Sequence, residues 1–416
     1  MLCRDAPCFT IEYMISSTPC PACESSTFES LIDFGDVPRS GTFLPAPESP
    51  SAAIHLGFEF CSKCGLIRRQ SFGDNNADYT RVNRTTGRQM PAYCPQIITA
   101  LQDRVSDPKA LVIEVGANDG SFLNLIAAAG FHNLIAIEPS VECATVCRSY
   151  GHNVEVTHLD ETQAHRIRMK YGGAAAVVCR HTLEHVPNPV AFISAMKTLL
   201  SHNGSLFIEI PGADGIICRT QIHELWDEHL HLFMCENVRL MLERVGFAVE
   251  EVTTRPHRDS TNILIWCTLG AVNRKTKLRD TDENVLLCRQ FRGRWESMRE
   301  AIVKRVSGYR RPIVALGASH PQFNFLLFSG IGKHISYLVD DDPVKENSYI
   351  PIPQPVKIIS SQVLRVQPPP ATILRTAFGC HAWMDTVCGA IANQDITIAA
   401  PYDPEIAYAP VREPTN

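Results

Sequence analysis

One stretch near the middle of the chain constrains the fold most, because it joins an apolar run, a glycine turn and a helical pattern. The run Leu111–Val115 is typical of a buried strand, and apolar residues recur at helical spacing between Phe122 and Ala127. The turn between them contains Gly116, Asn118, Asp119 and Gly120. In an α/β sheet, a strand, a glycine turn and a helix in this order place a ligand at the carboxyl end of the strand.

The residues around this turn indicate what the ligand is. A second apolar strand, Leu134–Ile137, ends at Glu138, where such folds place the carboxylate that accepts two ribose hydroxyls. Asn118 and Asp119 favour a cationic ligand without phosphate, since a pyrophosphate requires bare backbone N–H groups. S-adenosylmethionine has an ammonium, a sulfonium and an adenosine, so we predict that it binds here. The alternative is an ordinary structural turn between a strand and a helix.

The size and charge of the chain limit the classes of protein to which it can belong. Its 416 residues are enough for two or three domains. The net charge of −5 provides no broad basic surface for nucleic acid. Charged residues interrupt the N-terminus, so we expect no signal peptide, and no apolar run is long enough to span a membrane. We therefore expect a cytoplasmic protein whose 16 cysteines are reduced or bound to metal.

Four of these cysteines form two C-x-x-C motifs near the N-terminus. Each motif brings two thiolates to one ion from a tight turn, and four thiolates complete a tetrahedral zinc site. The redox alternative requires a thioredoxin-like helix after the motif, whereas Gly65 and a strand-like segment follow here. The segment between the motifs has too few apolar residues to form a core without the metal. We predict structural zinc with the ligands Cys20, Cys23, Cys61 and Cys64.

Strands and helices alternate between about residues 91 and 270, which predicts a parallel, doubly wound sheet. Asp160 follows the third strand, where we expect a contact on the adenine side of the cofactor. His181 follows the fourth strand, and we expect it to line the pocket near the methionine end. His185 is expected to have a packing role, because a metal shared by His181 and His185 would need a third ligand.

Two further segments flank this unit. Residues 72–88 are polar and are expected to form a linker or lid, in which Tyr79 is a candidate substrate contact. Towards the C-terminus, a long charged helix is followed by the strand Ile313–Leu316, a Gly317 turn and a second strand with an acidic end. This order predicts a second, smaller Rossmann-like layer. The predicted division is a zinc-binding module and linker over 1–90, the cofactor domain over 91–270 and the C-terminal domain over 271–416.

The segment His223–Phe233 contains three histidines, three carboxylates and a tryptophan, so we expect it to be too polar for a core element. A loop with this composition beside the carboxyl edge of a sheet suits proton abstraction. Histidine titrates near neutrality, and an adjacent carboxylate raises its basicity and orients it. The alternative interpretation is a solvated surface loop.

The order of these motifs resembles that of the zinc-containing sugar C-methyltransferases, which methylate a ring carbon next to a ketone in nucleotide-linked deoxysugars. The resemblance covers nearly the whole chain. Besides the cysteine motifs, it rests on Glu114-Val-Gly-Ala-Asn-Asp-Gly120, Ile137-Glu-Pro-Ser140 and Trp226-Asp-Glu-His229. It implies that Glu114 and Pro139 belong to the cofactor site. It also implies that His229 and Glu228 act in proton removal, that Trp226 is their aromatic partner and that the C-terminal domain helps to bind a nucleotide-linked sugar.

The sequence therefore predicts an S-adenosylmethionine-dependent C-methyltransferase. A base removes the proton next to a carbonyl, and the resulting carbanion attacks the methyl group in line. One enzymatic alternative is O-methylation or another small-molecule methylation on the same scaffold. A different class is a non-enzymatic binding protein whose zinc module is an adaptor for RNA or protein, which the lack of a basic patch disfavours.

Overall fold

The structure is a computed structural model, and it describes residues 18–70, 90–257, 260–270, 281–366, 370–391 and 396–401. Tyr79, the linker or lid predicted around it and the tail after Pro401 lie outside the described residues. Three β-sheets form the framework of the described chain. No helix in these ranges is both long enough and apolar enough to cross a membrane.

The first sheet begins with three antiparallel strands: β1 (Phe28–Pro38), β2 (Ala53–Cys61) and β3 (Ile67–Arg69). The sequence did not predict the first two as strands. In β1 the pairing shifts between Ser30 and Ile32 and again between Asp33 and Asp36, so its apolar residues do not keep a simple alternation.

The middle of the chain alternates strands and helices. In chain order these are α1 (Cys94–Arg104), β4 (Val112–Val115), α2 (Ser121–Ala128), β5 (Leu134–Ile137), α3 (Val141–Ser149), β6 (Asn153–Glu155), α4 (Glu161–Tyr171), β7 (Ala174–Arg180), α5 (Pro189–Leu199), β8 (Leu200–Pro211), α6 (Ala213–Cys218), β9 (His231–Leu232), α7 (Cys235–Val245), β10 (Phe247–His257) and β11 (Ser260–Leu269). All residues of β4 and β5 are buried, as expected for central strands covered by helices on both faces.

Seven of these strands form one sheet in the order β10-β11-β8-β7-β4-β5-β6. The five strands from β8 to β6 are parallel, as predicted, but β11 runs antiparallel to both of its neighbours. A parallel pair needs a crossover of a dozen or more residues, and only two positions separate β10 from β11 in the sequence. The strands therefore form a hairpin, which makes the sheet mixed.

The short strand β9 leaves this unit and joins the first sheet. Its Leu232 pairs with Ile67 of β3, and His231 pairs with Arg68. This pairing buries the loop that precedes β9: His223, His229 and His231 are 1%, 6% and 3% exposed. The interpretation of this segment as a solvated surface loop is therefore wrong, because a strand distant in sequence covers it.

The C-terminal part begins with a 27-residue helix, α8 (Thr281–Ser307). It continues with β12 (Ile313–Leu316), α9 (His320–Ser329), β13 (Tyr337–Val339), β14 (Tyr349–Ile350), β15 (Val356–Ile359), α10 (Ser361–Val366), β16 (Thr372–Arg375), α11 (His381–Ile391) and β17 (Thr397–Ala399). The six strands form a sheet in the order β14-β15-β13-β12-β16-β17, parallel except for the β14 pair.

One apolar core joins the N-terminal strands to the C-terminal sheet. It includes Phe58 of β2, Trp295 of α8 and Phe325 of α9, all buried. Phe34 of β1 stacks on Phe328 of α9 with ring centroids 3.8 Å apart. The segment between the two cysteine motifs was expected to lack a core of its own without metal; in the structure it shares the core of α8 and α9.

We expect the replacement Trp295→Ala to lower the free energy of unfolding by about 3–5 kcal/mol, since it empties a large site in this shared core. Trp295 is 4% exposed, whereas Leu286 on the same helix is 53% exposed. Leu286→Ala is therefore the matched control, with an expected change of about 0.5 kcal/mol or less. Thermal and denaturant unfolding measure both, and equal effects would contradict the shared core.

Candidate active site

The turn after β4 is shaped by close backbone approach. Gly116, Asn118 and Gly120 have φ angles of +73°, +51° and +81°. A Cβ on Gly116 would lie 2.1 Å from Thr182 Oγ1, and one on Gly120 would lie 2.6 Å from Cys147 Sγ. Both glycines therefore have a left-handed backbone and no room for a side chain. The turn thus lies directly against the residues that follow β7.

Glu138, at the end of β5, is 7% exposed and faces this turn. Its Oε2 accepts a hydrogen bond from the Asn118 backbone N–H at 2.8 Å, and its Oε1 accepts one from the Ser140 N–H at 2.8 Å. Burial raises the pKa of this carboxyl, and the two backbone donors oppose that rise. Each carboxylate oxygen can accept a further hydrogen bond, so both retain capacity for a ligand's hydroxyl groups. Pro139, which follows, is half-buried.

Asp119 and Asp160, two other residues predicted to bind the cofactor, each accept a hydrogen bond from a backbone N–H within the protein. Asp119 accepts the Ser121 N–H at 3.0 Å and so fixes the start of α2. Asp160 is exposed and accepts the Gln163 N–H at 2.7 Å as the N-cap of α4. Neither contact tests whether the residue also meets a cofactor.

Glu114 lies inside β4 and is 2% exposed. Burial raises its pKa to about 8. Within the described part of the chain, its Oε2 has no hydrogen-bond partner. The predicted cofactor role of Glu114 stays a prediction.

His181 follows β7 in a left-handed conformation, with φ of +49°. Its Nδ1 lies 3.7 Å from Glu184 Oε1, and its Nε2 lies 3.4 Å from Glu209 Oε1. Burial lowers the pKa of His181, but the two carboxylates outweigh burial and the pKa is raised. The position after β7 agrees with the expected one, and the two carboxylates are partners that the sequence did not reveal.

Glu209 on β8 is the centre of a buried polar network that sequence reasoning missed. The residue is 0% exposed, and it accepts hydrogen bonds from Arg180 Nε at 2.6 Å, Tyr93 Oη at 2.5 Å and Asn262 Nδ2 at 2.8 Å. Burial raises its pKa, but the donors and the charges of His181 and Arg180 hold it well below its usual range. One signal was present in the sequence: a lone glutamate between two isoleucines near the carboxyl end of a buried strand.

The loop before β9 brings His229 and Trp226 to the same region. The His229 ring lies 5.1 Å from the His185 ring and 4.6 Å from Trp226, between ring centroids. Burial, together with the nearby His185, lowers the pKa of His229 to about 3, and Glu184 opposes this shift. Trp226 also stacks on His320 of α9 at 4.9 Å. The loop therefore contacts both the residues that follow β7 and the helix α9.

Glu228 is half-buried, and its backbone carbonyl accepts a hydrogen bond from His185 Nδ1 at 2.8 Å. The carboxylate whose charge raises the pKa of His229 is Glu184, in the short 3-10 helix Leu183–His185. Sequence reasoning did not single out Glu184, because its proximity to His229 depends on the folding of a distant loop.

The four cysteines of the two motifs lie together. The Cys20 and Cys64 sulfurs are 3.6 Å apart, and those of Cys23 and Cys61 are 3.5 Å apart. All four sulfurs lie within 4.8 Å of one another. A tetrahedral zinc site with Zn–S bonds of about 2.3 Å requires sulfurs about 3.8 Å apart, so the donor set fits that ion. The second motif runs into β3 rather than into a helix.

Comparisons with known proteins agree with this geometry. Residues 86–252 match the family model described as "Methyltransferase domain". C-methyltransferase NovU from Streptomyces niveus is 21% identical over 240 residues, which are 56% of this chain and 57% of that protein. Ubiquinone biosynthesis O-methyltransferase from Xanthomonas campestris pv. campestris is 32% identical over 126 residues, 29% of this chain and 52% of that protein. The matches thus span little more than half of each relative's length.

Among solved structures, magnesium protoporphyrin IX methyltransferase from Synechocystis PCC 6803 with bound S-adenosylmethionine aligns at a TM-score of 0.33. It is 16% identical, and the alignment covers 42% of this chain and 78% of that one. The family match contains the turn, Glu138, His181 and His229. The Rossmann-like α/β fold predicted for the middle of the chain is confirmed, because five parallel strands alternate with helices there and residues 86–252 match the methyltransferase family model.

Replacement of Glu138 should weaken the binding of S-adenosylmethionine. Hydrogen bonds to charged groups are worth about 1.5–3 kcal/mol each, so Glu138→Ala should raise the dissociation constant by about tenfold or more. Glu142→Ala is the matched control, because Glu142 is exposed on α3 four positions further along the chain. Titration calorimetry measures both constants, and an unchanged affinity in Glu138→Ala would refute the assignment.

Proposed function

We propose that the chain is an S-adenosylmethionine-dependent C-methyltransferase, because residues 86–252 match the family model described as "Methyltransferase domain". Its acceptor is a carbon next to a ketone, in a nucleotide-linked deoxysugar or a related natural-product precursor. The proposal includes a division into a zinc-binding module over 1–90, the cofactor domain over 91–270 and a C-terminal substrate-binding domain over 271–416. Support for C-methylation comes from the match to C-methyltransferase NovU, which covers 56% of this chain and 57% of that protein.

The observation that carries the proposal is the proximity of the cofactor turn to the histidine-rich loop. Gly116 in the turn packs against Thr182, and two positions later Glu184 meets the buried ring of His229. The backbone reinforces this contact, since the Leu230 N–H donates to the Glu184 carbonyl at 2.8 Å. A methyl donor bound at the turn would therefore lie beside groups that can take a proton.

In the proposed reaction, His229 takes the proton from the acceptor carbon, while Glu228 and Trp226 of the same loop orient it. The enolate carbon then attacks the methyl group, the C–S bond breaks, and sulfur keeps the electron pair as a neutral thioether. The sulfonium already activates the methyl carbon, so the protein contributes mainly by positioning the two carbons and removing the proton. His229 is buried and Trp226 stacks on His320 of α9, so these contacts would keep bulk water from the enolate.

We further propose that Cys20, Cys23, Cys61 and Cys64 hold structural zinc. The ion would fix the turn that leads into β3, and β3 in turn holds the active-site loop. Arg69 of β3 donates through its backbone to the Leu230 carbonyl at 3.0 Å and through Nη1 to the Asp227 carbonyl at 2.5 Å. Four thiolates leave no open coordination position, so such a zinc ion stabilises the fold and takes no part in the chemistry.

A second candidate function is O-methylation on the same scaffold. One observation favours it: the relative at 32% identity is an O-methyltransferase, and that match covers 126 residues. O-methylation removes a proton from a hydroxyl group and leaves the neighbouring C–H bonds intact. The two functions therefore differ in whether the acceptor carbon exchanges its hydrogen.

Solvent exchange tests the proposed chemistry. With S-adenosylhomocysteine bound in place of the methyl donor, a nucleotide-linked keto-sugar acceptor should exchange the hydrogen next to its ketone with deuterated water. His229→Asn should slow exchange and turnover by about 10²–10⁴-fold, because it removes the base, and cofactor affinity should stay near that of the parent. Proton NMR measures the exchange.

His165→Gln is the control for this replacement, because His165 is 67% exposed on α4. Glu228→Gln should cost less than His229→Asn, since an orienting group acts through the imidazole. Full exchange in His229→Asn would exclude His229 as the base. Methyl transfer without any exchange in the parent enzyme would favour the O-methyl alternative.

Removal of one cysteine ligand tests the zinc proposal. Cys61→Ser should release the zinc and lower the melting temperature, because the turn before β3 loses its cross-link. The affinity for S-adenosylmethionine in the folded fraction should persist, since Glu138 lies in a different sheet. Elemental analysis and thermal unfolding provide the measurements. Freshly purified parent protein without zinc would contradict the proposal.

A further inference from the structure

Three side chains between the cofactor turn and the loop converge on one point. Glu184 and His185 come from the 3-10 helix after β7, and His229 comes from the loop before β9. One ligand atom from each lies within 4.8 Å of the other two. Glu184 and His229 are buried at 2% and 6% exposure, and His185 is half-buried.

The two imidazoles are turned so that one nitrogen of each contacts the backbone. His185 Nδ1 donates to the Glu228 carbonyl at 2.8 Å, and the His229 ring has a hydrogen bond to the backbone of Glu224. A carbonyl oxygen only accepts, so the nitrogen facing it carries the proton and the other nitrogen presents a lone pair. Metal-binding histidines have this arrangement, in which an outer carbonyl fixes the tautomer and the ring orientation.

Glu184 supplies the third donor. His185 Nε2 lies 3.8 Å from Glu184 Oε1, which is too long for a hydrogen bond. The other oxygen, Oε2, is buried and has no hydrogen-bond partner within the described ranges. His181 Nδ1 approaches Oε1 at 3.7 Å, and the same ring also lies beside Glu209. A buried carboxylate oxygen left unpaired beside imidazole lone pairs is costly unless a cation lies between them.

We propose that Glu184, His185 and His229 bind a divalent transition-metal ion. Two imidazoles and one carboxylate suit Zn²⁺, Fe²⁺ or Co²⁺, and the ion would bind with bonds of about 2.0–2.2 Å after a small contraction of the three groups. Three protein ligands leave coordination positions for water or for an oxygen of the acceptor. The site shares no ligand with the four cysteines, and it contains no sulfur.

One consequence rests on the proposed function, whereas the metal site itself does not. A bound ion would occupy the lone pair that His229 needs as a base. In a metal-loaded enzyme, a metal-bound hydroxide would replace His229 as the base and would become bound water on taking the proton from the acceptor carbon. The electron pair left on the deprotonated carbon would attack the methyl group, and sulfur would leave with the electrons of the C–S bond. Overall, this route transfers the same methyl group and removes the same proton as the metal-free route.

Cobalt binding tests the site without any methyl transfer. The full chain is stripped of metal with a chelator and titrated with Co²⁺, and cobalt is counted by elemental analysis after desalting. We expect two equivalents of cobalt per chain. The ion at the four cysteines should show thiolate-to-cobalt charge-transfer absorption, and the ion at Glu184, His185 and His229 should not. Zn²⁺ should displace both ions.

Glu184→Gln should bind one equivalent and keep the thiolate absorption, which shows in the same sample that the protein is folded. The affinity of the second site should fall by more than the roughly 10–100-fold that loss of an outer partner causes. His185→Gln is a second variant with the same expected result, and His165→Gln, which alters an exposed histidine, should still bind two equivalents.

A single equivalent that carries the thiolate absorption in the parent protein would overturn the proposal, as would two equivalents in both Glu184→Gln and His185→Gln. These results do not depend on the acceptor or on turnover. If the C-methylation proposal fails, the cobalt count is unaffected. If the second metal site is absent, the test of C-methylation is likewise unaffected.

Discussion

Three carboxylates buried at the carboxyl edge of the seven-stranded sheet determine how the surrounding elements are arranged. Glu138, Glu184 and Glu209 are 7%, 2% and 0% exposed. A buried carboxylate is strongly unfavourable unless donors or cations surround it. The Asn118 N–H of the turn after β4 donates to Glu138, and side chains of Tyr93, Arg180 and Asn262 donate to Glu209. The two carboxylates therefore tie the turn, the start of α1 and strands β7 and β11 to this edge of the sheet.

The histidine-rich loop is held by parts of the chain that are distant from it in sequence. Strand β3 pairs with β9 after the loop, and Arg69 binds two of the loop's carbonyls. On its other side, Trp226 stacks on His320 of α9. The first sheet and the helix α9 thus hold the loop against the central sheet. These contacts explain why a loop with so many polar side chains is buried and not exposed to solvent.

The strongly periodic elements could be predicted from the sequence, whereas their long-range partners could not. The strands Leu134–Ile137 and Ile313–Leu316 were predicted with the bounds that the structure has, because a run of four apolar residues between turn signals is too short for a helix. The turn after β4 was recognised for the same local reason. The hairpin of β1 and β2 was missed because bulges interrupt its alternation. Glu184 and Glu209 were missed because their importance arises from side chains that only the folded chain brings to them.

The position of the transferred methyl group tests the central claim most directly. Methyl transfer from S-adenosylmethionine labelled with ¹³C in the methyl group to a nucleotide-linked keto-sugar gives a product whose label can be located by NMR. We predict a labelled methyl bonded to the ring carbon that was deprotonated, the one next to the ketone. A labelled methyl attached to oxygen, with every ring C–H bond retained, would contradict it.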